Sequence, residues 1–224
     1  MSSGMQTFTT LNAIAAPLFV ANIDTDKLIP HKFLRKPLSA GYRNFLFYDQ
    51  RFAEDGSLRP EFVLNREPYS RAGVLVAGRN FGCGSTREGA IYALLDFGIR
   101  CVIAPSFGDI FHANCLQNGL LPVIMEEGET GKLAAWLEAH PGAHVGVDLG
   151  AQTVTLPYGL IVSFAIDGVR KEQLLKGLDD IGITLQYATR IQAFEEVYRQ
   201  RRPWLFREEA DLLANRKPQE GGAT

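Results

Sequence analysis

The stretch Gly73-Val74-Leu75-Val76-Ala77-Gly78, running into Arg79-Asn80-Phe81-Gly82-Cys83-Gly84 and then Ser85-Thr86-Arg87-Glu88, decides the fold of this chain. Its first part is a short unbroken apolar run, which reads as a buried strand. Its middle is a glycine-rich turn. Its end fits the S-x-x-E capping box, with Ser85 as N-cap and Glu88 at N3 of a helix. That helix turns Ala90, Ile91, Ala93, Leu94 and Leu95 inward and stops at Gly98, a suitable left-handed C-terminal residue.

Outward from this unit the pattern repeats. Cys101-Val102-Ile103-Ala104 predicts a strand, Gly108 to Gln117 a helix stopped by Asn118-Gly119, and Leu120 to Met125 a third strand. Strand and helix in alternation predict parallel βαβ units with right-handed crossovers, an α/β fold. Further on, Lys132 to Ala139 reads as a short helix closed by His140-Pro141-Gly142. Val145 to Leu149, Thr153 to Leu156 and Leu160 to Ile166 read as short antiparallel strands between Gly/Pro turns. Helices are expected around Gly168 to Lys176 and Ala188 to Gln200. Residues 7–70, with Pro17, Pro30, Pro37 and Pro60, read as turn-rich. The expected layout is one domain over residues 7–204. Before it, residues 1–6 form a disordered or added leader in which Met5 is a candidate native start. After it, residues 205–224 form a tail that either docks as a helix or frays.

Composition narrows the function classes. Among 224 residues, 46% are hydrophobic, which suits an ordinary globular protein. The formal net charge of −2 gives no electrostatic footprint for nucleic acid or an anionic membrane. No apolar run approaches the roughly 20 residues of a membrane span, and no secretory signal is recognisable, so the expected compartment is the cytoplasm. Cys83, Cys101 and Cys115 are odd in number and widely spaced, with no CxxC pair for zinc or an iron–sulfur cluster. Cys101 and Cys115 read as core residues. His31, His112, His140 and His144 do not cluster, so no metal site is expected within this chain.

A glycine turn that opens a helix gathers free N–H groups and the positive helix end, a ready anion site. Here the turn also carries the hydroxyls of Ser85 and Thr86 and the planar fork of Arg87, which matches a carboxylate bidentately. Two readings stay open on local composition: a carboxylate pocket with an adjacent hydroxyl base, or a capped helix with a solvated arginine. The dinucleotide fingerprint fails because Arg87 stands at its sixth position. A P-loop and a G-x-S-x-G nucleophile elbow are both absent. Cys83 is a further nucleophile candidate by its place near a helix start, although no histidine is near it in sequence.

Asn80 to Glu88 resembles the signature of the 3-isopropylmalate dehydratase small subunits, relatives of the swivelling fourth domain of aconitase. Asn22-Ile23-Asp24-Thr25-Asp26-Lys27-Leu28-Ile29-Pro30 is similar to the family's N-terminal signature. Ile103 to Phe111 and Gly177 to Leu185 resemble two further family motifs, and the resemblance runs in order from about residue 7 to residue 204. It implies a swivelling β/β/α domain with parallel βαβ units and a few antiparallel strands. It also implies a hydro-lyase that moves a hydroxyl between adjacent carbons of a hydroxydiacid. The family's [4Fe–4S] cluster is carried by a separate large subunit, so this chain is expected to bind no cofactor itself.

Residue by residue, the resemblance makes Ser85 the catalytic base, Thr86 part of its anion hole, and Arg87 a ligand of a substrate carboxylate. Asp26 matches an acidic position that orients Ser85 or an arginine; an Asx-turn role before Pro30 is the plainer alternative. Substrate choice is expected in His31-Lys32-Phe33-Leu34-Arg35-Lys36. There Phe33 and Leu34 offer an apolar wall, while Arg35 either faces solvent or meets an extra carboxylate. Two departures stand out: Gly89 replaces a histidine usual after Arg-Glu, and Lys171-Glu172-Gln173 replaces a His-Cys pair common in bacterial members. The favoured substrate is isopropylmalate, of leucine biosynthesis. The alternatives are a paralogous subunit for a methylmalate, homoaconitate or dimethylmalate type of acid, and a non-enzymatic module that kept only the fold.

Overall fold

The computed structural model describes residues 5–84 and 88–206. Its strands are β1 (Thr10–Leu18), β2 (Val74–Ala77), β3 (Cys101–Ala104), β4 (Leu121–Ile124), β5 (His144–Asp148), β6 (Thr153–Thr155) and β7 (Ile161–Ser163). Its α-helices are α1 (Thr25–Leu28), α2 (Tyr48–Arg51), α3 (Gly89–Phe97), α4 (Asp109–Asn118), α5 (Glu127–Ala139), α6 (Gly168–Lys176), α7 (Asp180–Leu185) and α8 (Ala188–Arg201). The strands join into one mixed sheet in the order β4-β3-β2-β1-β5-β6-β7. From β1 to β4 neighbours run parallel. From β1 through β5 and β6 to β7 they run antiparallel. The expected mixture of parallel βαβ units and a few antiparallel strands is what the sheet shows.

Period-two alternation splits the apolar strand residues between two cores. Ala16, Leu75, Ala77, Val102 and Ala104 face one core with Ala90, Ile91, Ala93, Leu94 and Phe97 of α3. Ala15, Val74, Val76, Cys101 and Ile103 face the other with Leu133, Ala134 and Leu137 of α5. β2 and β3 are therefore buried at every position. Helix α3 ends as the sequence predicts, at Gly98 with φ 114°, whose amide donates to the carbonyls of Leu94 and Leu95. Its described start is Gly89, with Glu88 at the N-cap position in place of the predicted N3. Ser85, the other half of the predicted capping box, lies outside the described residues together with Thr86 and Arg87.

Several elements depart from the sequence reading, among them β1, α5 and the unexpected helices α1, α2 and α7. Residues 10–18, expected among turns, form β1, the strand that joins the parallel and antiparallel halves. Its interior residues are alanines, and it contains Pro17, so the apolar-run signal is weak. Proline is tolerated because consecutive residues point their N–H groups to opposite sides. The Ala15 amide donates to Ala143 on the β5 side, so the Pro17 nitrogen points the same way, past the last β5 partner at Ile14. Helix α5 begins at Glu127, five residues before the expected Lys132, because the Glu126 carboxylate caps it by accepting from the Glu129 amide at 2.9 Å. Gly128 and Gly131 dilute the periodicity of its first turns.

The chain divides into two compact units, one ending at Asp179 and one starting at Asp180. In the first, Met5 already packs against the α5-side core, and the Phe8 amide donates to Leu174 at 2.8 Å. In the second, α7 and α8 are followed by a 3-10 turn, Pro203–Phe206. Phe206 meets Tyr198 edge-on at 6.0 Å, and the Arg199 guanidinium lies 5.2 Å from the Phe206 ring. Residues 207–224, most of the expected tail, lie outside the described residues. Among the described residues no helix is long and apolar enough to cross a membrane.

Candidate functional site

Ligands of parallel α/β sheets gather beyond the carboxyl ends of the strands, where the loops converge. Three of the singled-out motifs meet there. After β1, the segment at Ile23–Thr25 lies beside the glycine turn that follows β2: Gly82 donates its amide to Ile23 at 2.7 Å, and Thr25 donates to Cys83 at 3.0 Å. On the other side of that turn comes the loop after β3. Phe81 donates to Ser106 at 3.0 Å, and Gly108 donates to Phe81 at 2.9 Å. Asp24 pairs in parallel with Cys83, and Phe81 with Phe107, so the parallel order of the sheet continues into the loops.

The glycines in this junction are required by space. Gly82 has φ +72°, and a Cβ there would sit 2.2 Å from the Phe111 ring. A Cβ on Gly108 would stand 2.8 Å from the Gly82 carbonyl oxygen. Beneath the turn, Phe81 packs edge-on against Phe107 at 6.4 Å and Phe111 at 5.5 Å. Above it opens a cavity of about 330 Å³, lined by Asn80, Gly82, Cys83, Gly84, Phe107, Gly108, Asp109, Ile110 and Phe111. Gly84, its turn-ward lip, leads directly into Ser85, Thr86 and Arg87, the three candidates that lie outside the described residues.

The other candidates fall into place unevenly. Asp26 is exposed on the first turn of α1, next to Thr25 and hence beside the glycine turn. The Asx-type cap belongs to Asp24 instead, whose carboxylate accepts from the Lys27 amide at 2.7 Å. Phe33 stacks on Phe45 at 4.3 Å and leans on Tyr48 at 4.8 Å. Leu34 reaches the start of α3: a Cβ built on Gly89 would lie 3.6 Å from Leu34 Cδ2, 3.6 Å from Ile29 and 3.5 Å from Tyr42. The position for which the resemblance implied an imidazole is thus an apolar niche at ordinary contact distance. Arg35 is exposed. Lys171, at the second departure, donates to the Gly150 carbonyl at 2.8 Å and to Gln152 at 3.0 Å, a structural tie between α6 and the β5–β6 turn.

Electrostatics separates the cysteines. Burial pushes the thiols of Cys101 and Cys115 well up, so both remain protonated core residues. Cys83 is partly exposed on the cavity wall. The three thiols therefore do not make the ligand set of an iron–sulfur cluster. Among the described residues no group of three or more His, Cys, Asp or Glu stands ready for a metal ion. Burial lowers the His112 imidazole against the opposing pull of Asp109, which lies on the same helix. Tyr92 is pushed up to about 12 by burial and by Glu88, whose carboxylate accepts from the Tyr92 hydroxyl at 2.7 Å.

Sequence reasoning passed over Asn22 and Asn80 as working residues. Both adopt left-handed backbone, φ 56° and 57°, and the Asn80 side-chain amide donates to Asn22 Oδ1 at 2.8 Å. An asparagine just before a glycine turn was the available signal, since Asn tolerates positive φ better than most residues.

The comparisons with known proteins converge. The aconitase C-terminal domain matches residues 5–128, LeuD_N matches residues 132–168, and the C-terminal domain of the 3-isopropylmalate dehydratase small subunit matches residues 180–208. A 3-isopropylmalate dehydratase small subunit from Phenylobacterium zucineum is 55% identical over 202 residues, covering 90% of this chain and 98% of its own. One from Jannaschia sp. is 51% identical over 201 residues, covering 90% and 100%. Among solved structures, a 3-isopropylmalate dehydratase from Methanocaldococcus jannaschii matches with a TM-score of 0.59 at 26% identity, over 83% of this chain and 99% of its own.

Proposed function

The chain belongs to the 3-isopropylmalate dehydratase small subunits, and from that premise we propose that it works with a large subunit to interconvert 2- and 3-isopropylmalate in leucine biosynthesis. The observation that carries this is the junction itself: the Asn22–Pro30 motif, the Asn80–Gly84 turn and the Ile103–Phe111 motif are hydrogen-bonded side by side, and the last two line one cavity. The reaction removes a proton next to a carboxylate while a hydroxyl leaves the adjacent carbon, and then adds water in the opposite sense. Ser85 takes the proton as an alkoxide, which needs donors aimed at its oxygen. Thr86 and the helix start supply donors, Arg87 grips a substrate carboxylate through its fork, and Asp26 orients this group from α1. A [4Fe–4S] cluster held by the large subunit would supply the Lewis acid for the departing hydroxyl.

A cytoplasmic site of action is part of the same proposal, supported by the buried free thiols of Cys101 and Cys115. The alternative, a subunit for a hydroxydiacid with an extra carboxylate, would need Arg35 turned toward the substrate, whereas Arg35 is exposed. Reconstitution with the large subunit and assay of a hydroxydiacid panel decides between them. Isopropylmalate should turn over in the two-chain complex and not with this chain alone, and Arg35→Gln should leave that turnover within about twofold. A tenfold loss in kcat/KM on Arg35→Gln, about 1.4 kcal/mol, confined to tricarboxylic acids would favour the second reading.

A further inference from the structure

We propose that Asn22 and Asn80 are positioning residues: their paired side chains form a clasp that holds the glycine turn in its working place. The proposal rests on the hydro-lyase reading above and deepens it. Three observations carry it. Both residues sit in left-handed backbone, at φ 56° and 57°, a conformation that most L side chains avoid. Their amides meet across the gap between two loops that are 58 residues apart in sequence, at 2.8 Å. The backbone around the pair is tied in the same direction: Asn22 donates its amide to Arg79 at 2.9 Å, and Asn80 donates its own to Ser106 Oγ at 2.8 Å.

The clasp thus joins all three loops at one point, immediately before the turn. Two residues beyond Asn80, Gly82 bonds Ile23; three beyond Asn22, Thr25 bonds Cys83. Closing the amide pair fixes the register of these bonds, and with it the placement of Gly84. The pair is largely exposed, and a hydrogen bond open to water adds little to net stability. Two left-handed asparagines whose bond returns so little stability suit a geometric role better than a stabilising one. Asn80 also borders the cavity, so the test must separate positioning from direct substrate contact.

Glycine accepts positive φ without cost to the fold and removes only the side-chain amide. In the reconstituted two-chain complex, Asn22→Gly and Asn80→Gly should each lower kcat about tenfold with KM nearly unchanged, and the double variant should be no worse than either single. Asn22→Asp keeps both the acceptor and the tolerance for left-handed backbone, so it should retain wild-type kcat. In the isolated chain, hydrogen exchange at the Gly82 and Thr25 amides should quicken in the glycine variants while the Val76 amide of β2 stays protected. Wild-type kcat in Asn22→Gly, additive losses in the double variant, or no rescue by Asn22→Asp would overturn the clasp. Should the wild-type complex turn over no hydroxydiacid, the functional reading falls by itself; unchanged exchange at Gly82 and Thr25 would then overturn the clasp independently.

Discussion

The two wings of one sheet are built to different rules. In the parallel wing every residue of β2 and β3 is buried, because helices cover both faces. In the antiparallel wing burial alternates along β5, and β7 is a three-residue edge whose Ile161 is 61% exposed. Parallel strands need crossovers, and crossovers bring loops back to one end. That end is where Asn22–Thr25, Asn80–Gly84 and Ser106–Asp109 converge. The antiparallel wing returns through tight turns, gathers no such loops, and serves to widen the sheet over the second core. Site and scaffold are thus separated within a single sheet.

Glycines test this separation most strongly. Gly82→Ala adds a left-handed penalty of about 1–2 kcal/mol to overpacking of about 1–3 kcal/mol against the Phe111 ring, so it should cost about 4 kcal/mol in urea unfolding. Gly159, in the β6–β7 turn, also has positive φ, but nothing lies within 4 Å of its absent Cβ. Gly159→Ala should therefore cost about 1 kcal/mol, the backbone term alone. Equal losses at the two sites would erase the distinction drawn between a packed junction and an open turn.

Core truncation gives the next contrast. Leu75 on β2 is fully buried, and Leu75→Ala should cost about 3 kcal/mol through lost transfer and the cavity left behind. Val162 on β7 is only half-buried, so Val162→Ala should cost under about 1 kcal/mol. Chemical denaturation of the two variants checks the ranking, and a costlier Val162→Ala would reverse it.

The parallel wing was the more legible in sequence, and for a physical reason. Strands buried on both faces are unbroken apolar runs, and helices between them end at glycines, so β2, α3, β3, α4 and β4 could be read directly. Strand β1 could not. Ala13, Ala15 and Ala16 carry little apolar signal, and Pro17 argues against a central strand unless the pairing on each side is known. Helix α7 was hidden because Asp179-Asp180-Ile181-Gly182 reads as a motif before it reads as a helix. Local chemistry alone left the glycine turn open between an anion pocket and a capped helix. What the sequence could not supply was adjacency: the meeting of Asn22 with Asn80, and of Leu34 with Gly89, depends on loops brought together by the sheet.

A smaller effect concerns His112 on α4, half-buried beside the junction, whereas His144 on β5 is exposed. Burial lowers the His112 pKa below its ordinary 6.5, with Asp109 opposing. The unfolded chain then takes the proton first, so the contribution is present above pH 6.5 and is lost as pH falls from there through the lowered folded-state pKa. The urea midpoint should fall modestly between pH 7.5 and 5.5, and His112→Gln should flatten part of that slope. Parallel slopes for the two proteins would remove His112 as a source.

We propose that the glycine turn at the carboxyl ends of the parallel strands is this chain's share of an active site completed by another subunit. Steady-state kinetics of Ser85→Ala in the reconstituted complex, with isopropylmalate as substrate, tests it most directly. In that complex kcat should fall at least about a hundredfold, in the range lost with a general base, while KM changes little. Near-full turnover by the Ser85→Ala complex would contradict it.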